Sequence, residues 1–357
     1  PDEPHVTTAS PSSTQDRAKL EWLQIGRAVA AMLVVFHHAD QASAHFLGLP
    51  GQRYFGWGAY GVDFFFVLSG FIIFYAHRKD APGLAPARRY GWKRLTRIYL
   101  PYLPIAIAWM GLLLLFQGGQ EARNWSVLAT LTLLPLATVS ALSVAWTLTY
   151  ELIFYAFFLL RYLAKIAMVV AGAVWLGWIG AKAILWPDLA LSPAMTALSN
   201  PIILEFFLGM ASAWVFPKID RKWRYWLIVP GLLAVIALVP LHLLDNKLLM
   251  GPPPALVVLG LALLKPIQGQ AVFRGALFLG TASYSIYLVH SPVISVSAGL
   301  LAPYMGKWAI FAVTALLGIL AGSIYFAAVE RPTLKIVRRG GLRAAGGAQD
   351  GGKAHAG

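Results

Sequence analysis

The chain has 357 residues, 58% of them apolar and only 12% charged, about half the charged fraction usual in a soluble domain. It has no cysteine, which excludes disulfides, thiol nucleophiles and thiolate metal sites. The net charge of +14 raises nucleic acid as a partner, but the placement of the basic residues gives that charge a different meaning.

Residues 1–18 are polar and rich in Pro, Ser and Thr, the composition of a disordered tail. No cleavable signal pattern precedes the first apolar run, which is long and carries an arginine and two histidines. From there the apolar runs follow one another with short breaks. They predict ten spans, at 20–41, 57–77, 98–117, 143–163, 166–186, 200–216, 225–243, 249–265, 277–300 and 307–329. The segment 125–140 is apolar but short and broken by Pro135, so it reads as re-entrant or interfacial. Residues 336–357 form a flexible basic tail. The expected fold is therefore an all-α integral membrane bundle over residues 19–335, without an internal repeat.

The charges set its orientation. With both termini in the cytoplasm, 23 of the 29 Lys and Arg fall on the inner side. Arg53, Arg123, Lys247 and Lys307 fall in outer loops, and Arg27 and Lys182 inside spans. The largest inner cluster runs from Arg78 and Lys79 to Arg94 and Arg97. That alternation is the positive-inside rule, so the excess charge has a topological explanation and nucleic acid drops out as a partner. The 13 Trp and 14 Tyr fit interfacial belts.

Within the first span, LEWLQIGRAVAAMLVVFHHADQ, Arg27 and His38 are eleven residues apart. On a helix that separation returns the two side chains to within roughly 20° of one face, about 16 Å apart along the axis. A fixed cation and a titratable imidazole aligned inside a membrane are costly, and function is the default reading. Arg27 falls in the inner half of its span and His38 near the outer face. Asp63, Glu151 and Glu205 fall in the outer parts of theirs, which makes an outward-facing acid/base layer with His38. His290 lies near mid-span, on one face with Ser283 and Tyr287. Gly70, in the SGF of residues 69–71, reads as a site of close helix approach. His37, His45 and His242 show no metal-ligand pattern, and no metal is assigned.

Several of these residues carry a resemblance. Arg27, ten residues, then His38 looks like the Arg-x10-His signature of the membrane-bound acyltransferase-3 family. GVDFFFVLSGFII (61–73), RLTRIYLPY (94–102), WTLTYELIFY (146–155), SYSIYLVH (283–290) and VERP (329–332) resemble its further motifs, in the family order. Roughly residues 20–335 are covered, and the chain is most similar to stand-alone exopolysaccharide O-acetyltransferases of Gram-negative bacteria, enzymes of the inner membrane.

The resemblance implies transfer of an acyl group, usually acetyl from acetyl-CoA, to a sugar hydroxyl of an envelope glycan or its lipid-linked oligosaccharide precursor. The residues suit such chemistry. The nucleotide of acyl-CoA would stay at the inner face, where Arg94 and Arg97 are placed to bind phosphates, while the pantetheine arm threads past Arg27 towards His38. A neutral His38 would take the proton of the attacking hydroxyl, with Glu151 or Asp63 orienting its imidazole. Transient acylation of His38 is the competing mechanism. His37 neighbours the motif, but spacing and helical face select His38. Glu205, Tyr287 and His290 are candidates for substrate binding and read equally well as structural hydrogen-bonding groups. Arg94 and Arg97 read also as topology determinants that meet membrane lipid phosphates. Apart from the enzyme, intramembrane His, Asp and Glu would serve a proton-coupled transporter or a flippase for a lipid-linked sugar. A purely structural membrane subunit would explain the spans but not the aligned Arg27–His38 pair.

Overall fold

The computed structural model describes residues 21–49, 51–115, 124–239, 246–267 and 272–337. Among the described residues the secondary structure is helical, with one isolated β-bridge between Trp125 and Val139. The expected tail at 1–18, and all of the expected tail at 336–357 beyond Val337, lie outside the described residues.

Among the described residues, seven of the ten expected spans form helices long and apolar enough to cross a membrane: Gly56–His77, Leu84–Leu115, Ser143–Leu163, Lys165–Leu185, Pro193–Lys218, Phe273–Leu301 and Lys307–Val337. In the other three the described residues are helical and fall short for different reasons. The first, α1 (Glu21–Phe46), has 26 residues and ample length, but Glu21, Gln24, Arg27, His37, His38 and Asp40 dilute its apolar character. The helix at Arg224–Leu238 has 15 residues, and Lys247–Ala262 is a shorter apolar helix.

The chain divides into two compact units, and the boundary falls twice within a helix. The first unit takes in the described parts of Pro1–His37, Tyr54–Lys79 and Asn200–Ser283. It holds the start of α1, α2 (Gly61–His77), α3 (Ile203–Val215), α4 (Arg224–Leu238), α5 (Pro252–Ala262) and the start of α6 (Val272–Leu301). Its core packs Leu23, Val67, Leu68 and Phe71 against Ala213, Ala255, Val258 and Ala262. Helices α2 and α3 cross with their backbones in contact. A Cβ on Gly70 would collide with the Phe206 carbonyl, and one on Gly209 with the Val67 carbonyl. Lipid is as apolar as a leucine core, so the attraction between such helices comes from contact between their backbones, which only small residues permit.

The second unit takes in His38–Arg53, Asp80–Ser199 and the described part of Tyr284–Gly357. It holds the end of α1, α7 (Leu84–Leu115), the short α8 (Val127–Thr132), α9 (Trp146–Phe158), α10 (Lys165–Leu185), the end of α6 and α11 (Lys307–Tyr325). Helix α7 contains Pro101 and Pro104. Tyrosine hydroxyls donate to carbonyls along that stretch, Tyr325 to Pro101 at 2.8 Å and Tyr284 to Ile98 at 3.0 Å.

Segment 125–140 doubles back on itself. Ser126 caps α8 by accepting from the Ala129 amide, Leu133 ends it with φ +57°, and the chain returns to pair Val139 with Trp125. Tyr99, Tyr102 and Trp109 of α7 donate to the carbonyls of Thr132, Thr130 and Ala141 and hold it there. Helix α10 leaves Ile166, Val169, Val170 and Val174 exposed, the surface expected of a lipid-facing helix. The final helix widens into a π-helix over Phe326–Glu330, a deformation frequent at functional sites.

Candidate active site

In the second unit the end of α1 meets the end of α6 through two imidazoles. His38 Nδ1 lies 3.2 Å from His290 Nε2, and the rings meet edge to face with centroids 4.9 Å apart. His290 is fully buried, and its Nδ1 lies 3.0 Å from the Ile286 carbonyl one turn back on α6. A carbonyl only accepts, so His290 Nδ1 carries the proton and donates. With both rings neutral, Nε2 is then an acceptor, and it accepts a hydrogen bond from His38 Nδ1. The tautomer of His38 follows: its proton sits on Nδ1 and its lone pair on Nε2. A triad carboxylate produces the same arrangement, a base with a fixed tautomer and a fixed plane.

Tyr287 stands beside His290, with ring centroids 5.7 Å apart. Its hydroxyl is 3.0 Å from Thr147 Oγ1 and donates to the Val144 carbonyl at 3.2 Å, so α9 is tied to the same stretch of α6. Two residues beyond His38, Asp40 makes an ion pair of 2.9 Å with Lys307 at the start of α11. Lys307 also donates to the Gln52 carbonyl. Both side chains are buried, so this pair fixes the C-terminal end of α1.

The expected anchors Arg94 and Arg97 sit among aromatic rings and carboxylates. Arg94 lies 5.5 Å from the ring centroids of both Tyr90 and Tyr155. Arg97 lies 6.0 Å from that of Tyr284 and feels the charges of Glu330 and Glu151. Glu151 accepts from Tyr155, and Glu330 accepts from Ser285 at 2.5 Å, placed for it by the π-helix. Arg97 makes no side-chain hydrogen bond among the described residues, so its guanidinium keeps its donors for another group.

The first unit holds the remaining candidates. Arg27 turns Nε and Nη2 to the Ser283 hydroxyl, at 3.1 and 2.9 Å, and Nη1 to Gln24 at 3.4 Å. Asp63 receives Lys247 Nζ at 2.5 Å, and the same ammonium lies 3.8 Å from Glu205. Both carboxylates are buried, and Tyr60 offers its ring to the lysine at 5.4 Å. The layer grouped from sequence thus divides between units: His38 and Glu151 in one, Asp63 and Glu205 in the other. His37, next to the motif histidine, turns its Nδ1 to the Phe55 carbonyl at 3.3 Å.

Sequence reasoning did not supply the partners of two carboxylates. Lys247 and Lys307 were assigned to outer loops, yet both form ion pairs with carboxylates inside the fold. Each is an isolated cation at the start of an apolar helix, and Asp63 and Asp40 are each isolated anions towards one end of another. That pairing of lone opposite charges was the available signal.

Residues 20–328 match the acyltransferase-3 family, described as an acyltransferase domain, and the chain belongs to that family. It is a membrane acyltransferase of the multi-pass kind. It is also 29% identical over 324 residues, 87% of this chain and 96% of the relative, to the exopolysaccharide production protein ExoZ of Rhizobium meliloti (strain 1021). No solved structure matches it.

Proposed function

We propose that the chain transfers an acyl group, acetyl in the simplest case, from cytoplasmic acyl-CoA to a sugar hydroxyl of an exopolysaccharide or its lipid-linked precursor. The family supports acyl transfer, and the relative's name supports the glycan. The observation that carries the chemistry is the His38–His290 contact, which leaves a lone pair on His38 Nε2.

In this reading His38 Nε2 takes the proton of the sugar hydroxyl as its oxygen attacks the thioester carbonyl. The tetrahedral adduct collapses by breaking the carbon–sulfur bond, and the imidazolium returns the proton to the departing thiolate. The products are the sugar ester and CoA, with His38 neutral again. Glu151 and Asp63, expected beside the imidazole, hold Tyr155 and Lys247, and His290 takes the orienting role. Arg97, with its donors available, is the group best placed to hold an anionic part of the donor. Orientation follows the charge pattern, both termini in the cytoplasm and the protein in the bacterial inner membrane.

Mass spectrometry of the glycan from cells with the protein, without it, and with His38→Ala tests this reading. An acyl mass present only with the unmodified protein is the expected result. An unchanged glycan across all three would overturn it.

A further inference from the structure

We propose that a cleft in the first unit binds the phosphate headgroup of an anionic phospholipid. The cleft has a volume of about 380 Å³ and is lined by Trp22, Arg224, Tyr225, Lys265, Ile267 and Phe273, among others. It takes no part in the chemistry above, and all its lining residues belong to one unit.

Its walls are held in place. The Trp22 indole donates to the Lys265 carbonyl at 2.8 Å, and the Ile267 amide donates to Glu21 at 2.8 Å. These two bonds pin the segment after α5 to the first turn of α1. On the other side Arg224 donates to the Arg221 carbonyl at 2.9 Å and lies 4.6 Å from the Tyr225 ring centroid, so these two neighbours hold its guanidinium. Two basic residues, Arg224 and Lys265, thus share the lining with aromatic and apolar ones. Glu21 is the nearby counter-charge, already engaged by Ile267.

The chemistry of the cleft fits a lipid better than a nucleotide. Trp22 and Phe273 meet edge to face at 67°, and Arg224 covers the Tyr225 ring, so no two parallel ring faces stand open to sandwich a base. The apolar and aromatic residues of the lining suit glycerol and the first methylenes of an acyl chain, while the charges of Arg224 and Lys265 suit one phosphodiester. The surrounding surface is interfacial in character. Trp223, Tyr225 and Trp226 are 50%, 56% and 73% exposed, next to Arg221 and Lys222. Exposed Trp and Tyr beside Lys and Arg are the signature of the headgroup level on the cytoplasmic side of a membrane protein.

The test is native mass spectrometry of the purified full chain titrated with dioctanoyl-phosphatidylglycerol or dioctanoyl-phosphatidylcholine. The anionic lipid should bind at least tenfold more tightly. Lys265→Gln and Arg224→Gln should each reduce that preference about fivefold, the effect of one basic residue at a membrane surface. Arg224→Lys should retain most of it, which separates lost charge from a damaged fold. Adenosine 3′,5′-bisphosphate should leave the bound lipid in place. Equal affinity for the two lipids, undiminished preference in both Gln variants, or displacement by the nucleotide would each overturn the proposal.

Discussion

His290 Nε2 accepts from His38 Nδ1 at 3.2 Å because its own Nδ1 is committed to the Ile286 carbonyl at 3.0 Å. A backbone carbonyl thus decides, through one buried imidazole, which nitrogen of a second imidazole is basic. His38→Ala should abolish transfer at normal expression, and His37→Ala should retain it, since His37 turns to the Phe55 carbonyl instead. His290→Ala should lower turnover by about 10²–10⁴-fold, the usual worth of positioned base catalysis, with little change in donor KM. His290→Gln, which can still accept from Nδ1, should recover part of the loss. Steady-state kinetics on the purified variants checks all four, and equal loss at His37 and His38 would remove His38 as the base.

Arg97 and Arg94 have different surroundings, so their variants should separate. Arg97→Ala should raise the donor KM by about 10–100-fold, as expected for a lost charge-assisted hydrogen bond, with turnover less affected. Arg94 lies 5.5 Å from two tyrosine ring centroids, and Arg94→Ala should cost stability as well as donor affinity. Arg27→Ala should lower turnover too, because it also releases Ser283. Donor titrations and melting curves on the three proteins distinguish these outcomes. Unchanged donor affinity throughout would remove the cytoplasmic donor from the proposed reaction.

The legible and illegible parts of this chain divide along physical lines. Apolar length is a local property, and most spans were readable from it. Helix α1 is one exception, because the polar residues proposed to carry its chemistry are the same ones that make it a poor span by composition. Close packing at Gly70 was readable because a small residue in an apolar run has few other uses, whereas its partner Gly209 lies in a run with no such flag. The partner of His38 was not readable. Asp63, Glu151 and His290 are all suitable neighbours in sequence, and only the fold decides that His290 reaches the ring while Asp63 meets Lys247.

The Gly70–Gly209 crossing should be intolerant of a single methyl. Gly70→Ala and Gly209→Ala each drive a Cβ into a backbone carbonyl, where no side chain can move aside. Overpacking of that kind costs about 1–3 kcal/mol, and backbone contact puts these positions at the upper end. Thermal or denaturant unfolding in detergent should show the loss. The activity that remains should follow the folded fraction, since neither glycine touches the proposed chemistry.

The Lys247–Asp63 pair should behave as a buried ion pair. Lys247→Met leaves Asp63 and Glu205 facing each other without a cation, and should destabilise by up to about 3–5 kcal/mol. Adding Asp63→Asn to it should restore stability, because the remaining charge imbalance is relieved. A double-mutant cycle on unfolding midpoints measures the coupling, and purely additive losses would show that the contact contributes nothing.

Donor and acceptor should enter from opposite sides of the membrane. Basic residues cluster in the segments read as cytoplasmic, which suits a donor with several phosphates, whereas His38 lies about 16 Å further along α1 than Arg27, towards the end read as outer. A sugar hydroxyl is strongly hydrated, and moving it to mid-membrane without partners costs several kcal/mol, so a shallow outward position is the cheaper place to meet it. Reconstitution in sealed vesicles of known orientation tests this, with acyl-CoA on one side and a membrane-impermeant acceptor on the other. Transfer should occur only when acyl-CoA is on the cytoplasmic face and the acceptor on the opposite one. Transfer that requires both substrates on the cytoplasmic face would overturn the transmembrane reaction and leave the assignment of His38 standing.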